Sequence, residues 1–167
     1  GEIFHCYGDI FPHISFEGKI QNFKTPPLKD LVLKRLGLIR QPLKEYYLTR
    51  YLRENRINLI FANYGPAGAV LAPIASALSI PLIVHFHGFD ASIFSVLDKY
   101  KEGYQRLFDV ARRIIVVSEE MKHDLLRLGA PEGKLTKITC APHAQFLDIK
   151  PKYLNSQLLA IGRFVEK

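Results

Sequence analysis

At 167 residues the chain is long enough for one domain with a substantial core, and 48% apolar with 23% charged residues is ordinary for a globular protein, not a disordered one. Its longest near-apolar stretch, Ala67 to Leu78, falls short of the roughly 18 residues of a membrane span. The net charge of +7 sits entirely in residues 19–56, where ten Lys/Arg meet only Asp30, Glu45 and Glu54, and no nucleic-acid-binding motif accompanies it.

The chain opens on Gly1, with no initiator Met and no signal peptide, so residues upstream are expected. Cys6 and Cys140 are far apart and read as two buried thiols of a reducing compartment, not a disulfide. "PPLKDLVLKRLGL" predicts a helix that starts after Pro26 and Pro27, carries Leu28, Leu31, Val32 and Leu36 on one stripe, and stops near Gly37. "QPLKEYYLTRYLRENR" predicts a second, with Pro42 in its first turn and tyrosines interleaved with Lys44, Arg50, Arg53 and Arg56. Two readings of residues 42–56 stay open: a solvated outer face, or contact with an anionic membrane surface.

From residue 57 the pattern becomes regular. "INLIFAN", "IPLIVHFH", "ARRIIVVS", "KLTKITCAP" and "SQLLAIGR" read as strands. "GPAGAVLAPIASALS" reads as a helix whose small residues allow close packing on a sheet. "EEMKHDLLRLG" reads as a helix capped by Ser118, with Glu119 and Glu120 in its first turn and Gly129 at its stop. Alternating strands and helices predict an α/β fold, a Rossmann-like parallel sheet with helices on both faces. Ligands of such sheets gather at the carboxyl ends of the strands, where Asn63-Tyr64-Gly65, His85-Phe86-His87-Gly88 and Ser118-Glu119 fall.

"PLIVHFHGFDAS" is the most informative stretch. Side chains alternate along a strand, so His85 and His87 share a face if the strand runs through both. Three readings follow. His85, His87 and Asp90 could be metal ligands, and a metal-dependent hydrolase would use them so. The histidines could be a polar strand end satisfied by backbone. Or one histidine could face a substrate beside a glycine turn, with Gly88 letting backbone N–H groups approach a ligand.

The order and spacing of "LIFANYGPAGAVLAPIASALSIPLIVHFHGFDAS", "RRIIVVSEEMKHDLLRLGAPEGKLTKI" and "LLAIGRFVEK" over residues 57–167 resemble family 4 glycosyltransferases, nearest the branch that builds bacterial exopolysaccharide, capsule and lipopolysaccharide. The resemblance implies a retaining, nucleotide-sugar-dependent enzyme of the GT-B fold, with an acceptor-binding domain facing a donor-binding one. It implies residues 1–156 as the acceptor domain, short of its first strand unit ("EIFHCYG" being at best the next strand), and 157–167 as the start of the donor domain. The fragment alone is then expected to be inactive, and a non-enzymatic α/β binding module is the alternative for it.

By residue, the resemblance implies His87 at the reaction centre, holding the donor sugar or assisting the acceptor without a metal. It implies acceptor contacts from Tyr64, Gly65, Gly88, Asp90 and Ser118, and a grip on the donor diphosphate from Arg163 and Lys167. Asn63 and Tyr64 stand where the family often has His and Phe, and Lys167 lies nearer Arg163 than the usual lysine. No tightly bound cofactor is expected, the nucleotide sugar being a substrate. The expected partners are that donor, a saccharide or lipid-linked acceptor, and a cytoplasmic membrane face. An exposed inter-domain surface would favour self-association.

Overall fold

The computed structural model describes residues 5–7, 13–16, 19–22, 28–40, 42–146, 148 and 150. Two sheets are present among them. The first is an antiparallel meander of β1 (His5–Tyr7), β2 (His13–Phe16) and β3 (Lys19–Asn22), in that order. Only the first of its strands falls in a segment that the sequence marked as one.

The second sheet is parallel and carries the fold: β4 (Ile60–Asn63), β5 (Leu82–His85), β6 (Arg113–Val116) and β7 (Leu135–Lys137), side by side in chain order. Each crosses to the next through helix: α3 (Gly65–Leu78), then α4 (Phe89–Ser92) with α5 (Phe94–Val110), then α6 (Glu119–Arg127). The register pairs Asn63 with His85 and His85 with Ile115, so the carboxyl ends of β4 to β6 lie level.

One face of this sheet is the core. Ile60, Ala62, Leu82, Val84, Ile114 and Val116 are buried with Leu107, Phe108 and Leu125. Each large apolar side chain removed from water contributes roughly 1.5–3 kcal/mol. The small residues of α3 do what their size suggests: a methyl group on Gly68 would lie 2.8 Å from Val84 Cγ2, and one on Gly103 of α5 would lie 3.0 Å from Ala69 Cβ. On the opposite face Phe61 is exposed and Ile83, His85 and Ile115 are half-buried, so the described residues cover one face fully and the other only in part.

Ser118 caps α6 as expected, its hydroxyl oxygen accepting from Met121 N at 3.1 Å. Such a cap contributes on the order of 1 kcal/mol. Gly37 closes the turn after α1 (Leu28–Arg35) at φ +74°. The apolar stripe of α1 is a different matter. Leu28, Leu31, Val32 and Leu36 are all exposed, and the buried residue of that helix is Asp30, which accepts from Tyr47 Oη at 2.5 Å. Burial and this bond push the Tyr47 phenol up to about 12. Tyr47 belongs to α2 (Leu43–Glu54), whose Leu48 and Leu52 turn into the core. The strand expected at "SQLLAIGR", the domain assigned to 157–167, and Arg163 and Lys167 lie outside the described residues.

Candidate functional site

The carboxyl end of β5 holds the densest cluster of chemistry-bearing side chains. Past His85 the ladder continues for one residue, Phe86 N donating to Ile115 O at 2.9 Å, and Phe86 is fully buried in the core. Strand alternation therefore sets His85 and His87 on the opposite side, with ring centroids 4.0 Å apart. His87 is exposed; His85 is half-buried. Burial lowers the His85 pKa below the ordinary histidine value, the neighbouring His87 adds to this, and Asp90 opposes it. His85 is thus a neutral imidazole near pH 7.

Asp90 organises the turn that follows. It is fully buried, and its carboxylate accepts three backbone N–H groups: Gly65 at 2.8 Å, His87 at 3.0 Å and Gly88 at 2.9 Å. Its own carbonyl accepts from Tyr104 Oη at 2.8 Å, which ties the turn to α5. Burial, then the Asp90 charge, raises the Tyr104 pKa and keeps that phenol a donor. A carboxylate fixed in this way clamps the end of β4 to the end of β5.

This corrects the expectations for Asp90, Gly65 and Gly88. Asp90 has no exposed surface, so it neither lines an acceptor site nor completes a metal set with His85 and His87; the hydrolase reading loses its third ligand. Gly65 is also buried, its N–H is used by Asp90, and a methyl group there would stand 2.3 Å from Phe86 Cε1. Its glycine is demanded by packing. Gly88 sits at φ +140°, a conformation open to glycine, but its N–H points to Asp90 and not to a ligand.

Around His87 the exposed groups form an aromatic shelf. Tyr64 lies 4.7 Å from the His87 ring and Phe89 lies 5.3 Å from Tyr64, centroid to centroid. Tyr64 and Phe89 keep 43% and 46% of their surface exposed. Tyr64 holds a positive φ of 74° at the start of α3, a strained setting for a bulky residue. Asn63 Oδ1 is 3.3 Å from His87 Nε2. Phe89 was not foreseen, although its place two residues past His87 on a glycine turn was a usable signal. Ser118, at the carboxyl end of β6, has its hydroxyl committed to the α6 cap.

Cys140 also departs from expectation, being a free and exposed thiol. It reaches the two histidines: one ligand atom each of His85, His87 and Cys140 lie within 4.8 Å of one another.

Chemically, the shelf offers flat apolar rings for the C–H face of a small polar molecule and, beside Tyr64, an imidazole that donates or accepts a hydrogen bond. No other exposed group of the described cluster combines both.

A family model described as Glycosyltransferase Family 4 matches residues 13–141. The chain is 25% identical over 115 residues to the amylovoran biosynthesis glycosyltransferase AmsK of Erwinia amylovora, covering 66% of this chain and 28% of AmsK. It is 30% identical over 82 residues to WcaL of Escherichia coli (strain K12), covering 48% of this chain and 20% of WcaL. The chain thus spans between a fifth and three tenths of the curated relatives it matches. Among solved structures it is similar to Anabaena Alr3699/HepE in complex with UDP-glucose, with a TM-score of 0.50 and 17% identity over 69% of this chain and 34% of that one. That likeness bears on the fold, a Rossmann-like half.

Proposed function

The chain belongs to glycosyltransferase family 4, and on that premise we propose that it is the acceptor-binding half of a GT-B enzyme. The whole enzyme transfers a sugar, with retention, from a nucleotide sugar to a saccharide or lipid-linked acceptor in the building of a bacterial surface polysaccharide. The observation that carries this reading is the exposed His87 at the carboxyl end of β5, set against the Tyr64 ring on a turn locked by Asp90. The name of AmsK, an amylovoran biosynthesis glycosyltransferase, and the UDP-glucose of the HepE complex support the choice of acceptor and donor classes.

In this proposal Tyr64 and Phe89 bear one face of a sugar ring, and His87 hydrogen-bonds the donor sugar or the acceptor hydroxyl in the geometry of attack. Breaking the donor glycosidic bond develops charge on the leaving diphosphate, which cationic groups must stabilise. Arg163, with its planar fork, and Lys167 are the proposed groups for that task. The test is a transfer assay with a panel of nucleotide sugars and saccharide acceptors. The whole enzyme is expected to give product with the donor's anomeric configuration, and residues 1–167 alone are expected to give none. Transfer by residues 1–167 alone would contradict the two-domain reading, and failure of the whole enzyme with every donor would leave a binding module.

Peripheral contact with an anionic, cytoplasmic membrane face is part of the same proposal. No helix among the described residues is long and apolar enough to cross a membrane. The support comes from α1; residues 42–56, for which a membrane contact was one of two open readings, spend Leu48 and Leu52 of α2 on the core. Leu28 and Leu36 are 77% and 67% exposed, beside exposed Lys29, Arg35 and Arg40. Each basic residue near an anionic surface contributes about 1 kcal/mol. Residues 1–167 should co-sediment with phosphatidylglycerol vesicles and not with neutral ones, and Leu28→Asp with Leu36→Asp should abolish it. Equal sedimentation by that double variant would refute a role for α1.

A further inference from the structure

Cys140 lies outside every role given above, yet the fold delivers it to the histidine pair. β7 runs parallel to β6, and Ile138 N still donates to Val116 O at 2.9 Å. The segment after it carries Cys140 to the carboxyl end of β5, where its thiol joins the two imidazoles within 4.8 Å. We propose that His85, His87 and Cys140 form a binding site for a zinc-type divalent cation.

The donor set selects the metal class. Two imidazoles and a thiolate suit zinc, cobalt and cadmium and disfavour magnesium, manganese and calcium, which take oxygen ligands. Tetrahedral zinc holds nitrogen at about 2.0–2.1 Å and sulfur at about 2.3 Å, so its donors lie roughly 3.3–3.8 Å apart. The triangle must therefore tighten by about 1 Å. His87 and Cys140 are exposed and make that adjustment by side-chain rotation, His87 giving up its 3.3 Å contact with Asn63 Oδ1, while the sheet fixes the backbone of His85. The buried Nε2 of His85 has no hydrogen-bond partner among the described residues, so no protein bond at that atom holds the ring against turning. Three protein ligands leave the fourth position for water. Binding displaces the thiol proton to solvent.

The site differs from the trio read in the sequence: Asp90 is replaced by a cysteine fifty residues further along, which spacing alone did not connect. It also has a consequence that rests on the proposed function. A metal there engages the His87 ring and withdraws it from a sugar, so zinc would inhibit transfer by the whole enzyme.

The test needs no sugar, which keeps its failure distinct from failure of the transferase reading. Chelator-treated residues 1–167 are titrated with Co(II) and followed by absorption, then with Zn(II) in competition. The expected result is one equivalent of Co(II), a thiolate-to-cobalt charge-transfer band, and its displacement by zinc. Cys140→Ser should remove the band and weaken zinc at least tenfold, and His87→Ala should weaken zinc similarly. His123→Ala and His143→Ala should change neither. Circular dichroism of each variant checks the fold, and Cys140 is exposed, so its replacement should leave the fold intact. Absence of the band in the parent chain, or unchanged zinc affinity in Cys140→Ser, overturns the site and leaves adventitious histidine binding.

Discussion

Asp90→Ala is expected to destabilise the chain by on the order of 4 kcal/mol, a large part of the stability of a domain this size. The carboxylate is fully buried and accepts from Gly65, His87 and Gly88. Net contributions of hydrogen bonds to a charged group run to about 1.5–3 kcal/mol each, and their loss leaves three amides without a partner. Water entering the space recovers part of this, which is why the sum is not threefold. Asp90→Asn should cost roughly half as much, because its amide oxygen still serves one side of the clamp while its NH2 faces a donor on the other. Urea unfolding should show a lower midpoint at unchanged slope. A cost below about 1 kcal/mol for the alanine variant would mean the turn holds itself and the clamp is incidental.

The second large effect falls on activity. His87→Ala in the whole enzyme should lower kcat about 100-fold, the usual scale for removing one preorganised hydrogen-bonding group from a transition state. The loss should appear in kcat and not in the binding of the nucleotide, because the proposed diphosphate contacts of Arg163 and Lys167 belong to another segment. The His87 side chain is exposed, so truncation opens no cavity in the core and the variant should keep its stability. Phe89→Ala should instead raise the acceptor KM, since a stacking surface serves ground state and transition state alike.

The parallel sheet was legible because its strands are runs of Ile, Leu and Val bounded by turn residues, and because the small residues of α3 admit a close helix–sheet contact. Helix α5 went unread, though Leu97, Tyr100, Tyr104, Leu107 and Phe108 repeat at helical spacing and end in the core. The stripe on α1 was read correctly as periodicity, and its exposure was not legible. Periodicity says which side chains share a face; it says nothing about what covers them.

At the site the same limit applies. Strand alternation placed His85 and His87 together, and the glycine turn followed from Gly88. Asp90 has polar chemistry but a structural duty, because three converging amides are a tertiary fact that appears in no local pattern. Cys140 reaches His85 and His87 only through the sheet order, and so was assigned to the interior. Tyr64 was picked out by its strand end, and its ring contact with Phe89 came from the backbone geometry of two separate turns.

The central claim is that the exposed face of the β5 end, with His87 at its centre, works on the sugar being transferred. The most direct measurement is the saturated rate of sugar transfer by the whole enzyme with His87 intact and as His87→Ala, alongside the nucleotide dissociation constant of both. A fall in kcat of about 100-fold with an unchanged dissociation constant is the predicted result. Equal kcat values for the two proteins would contradict it.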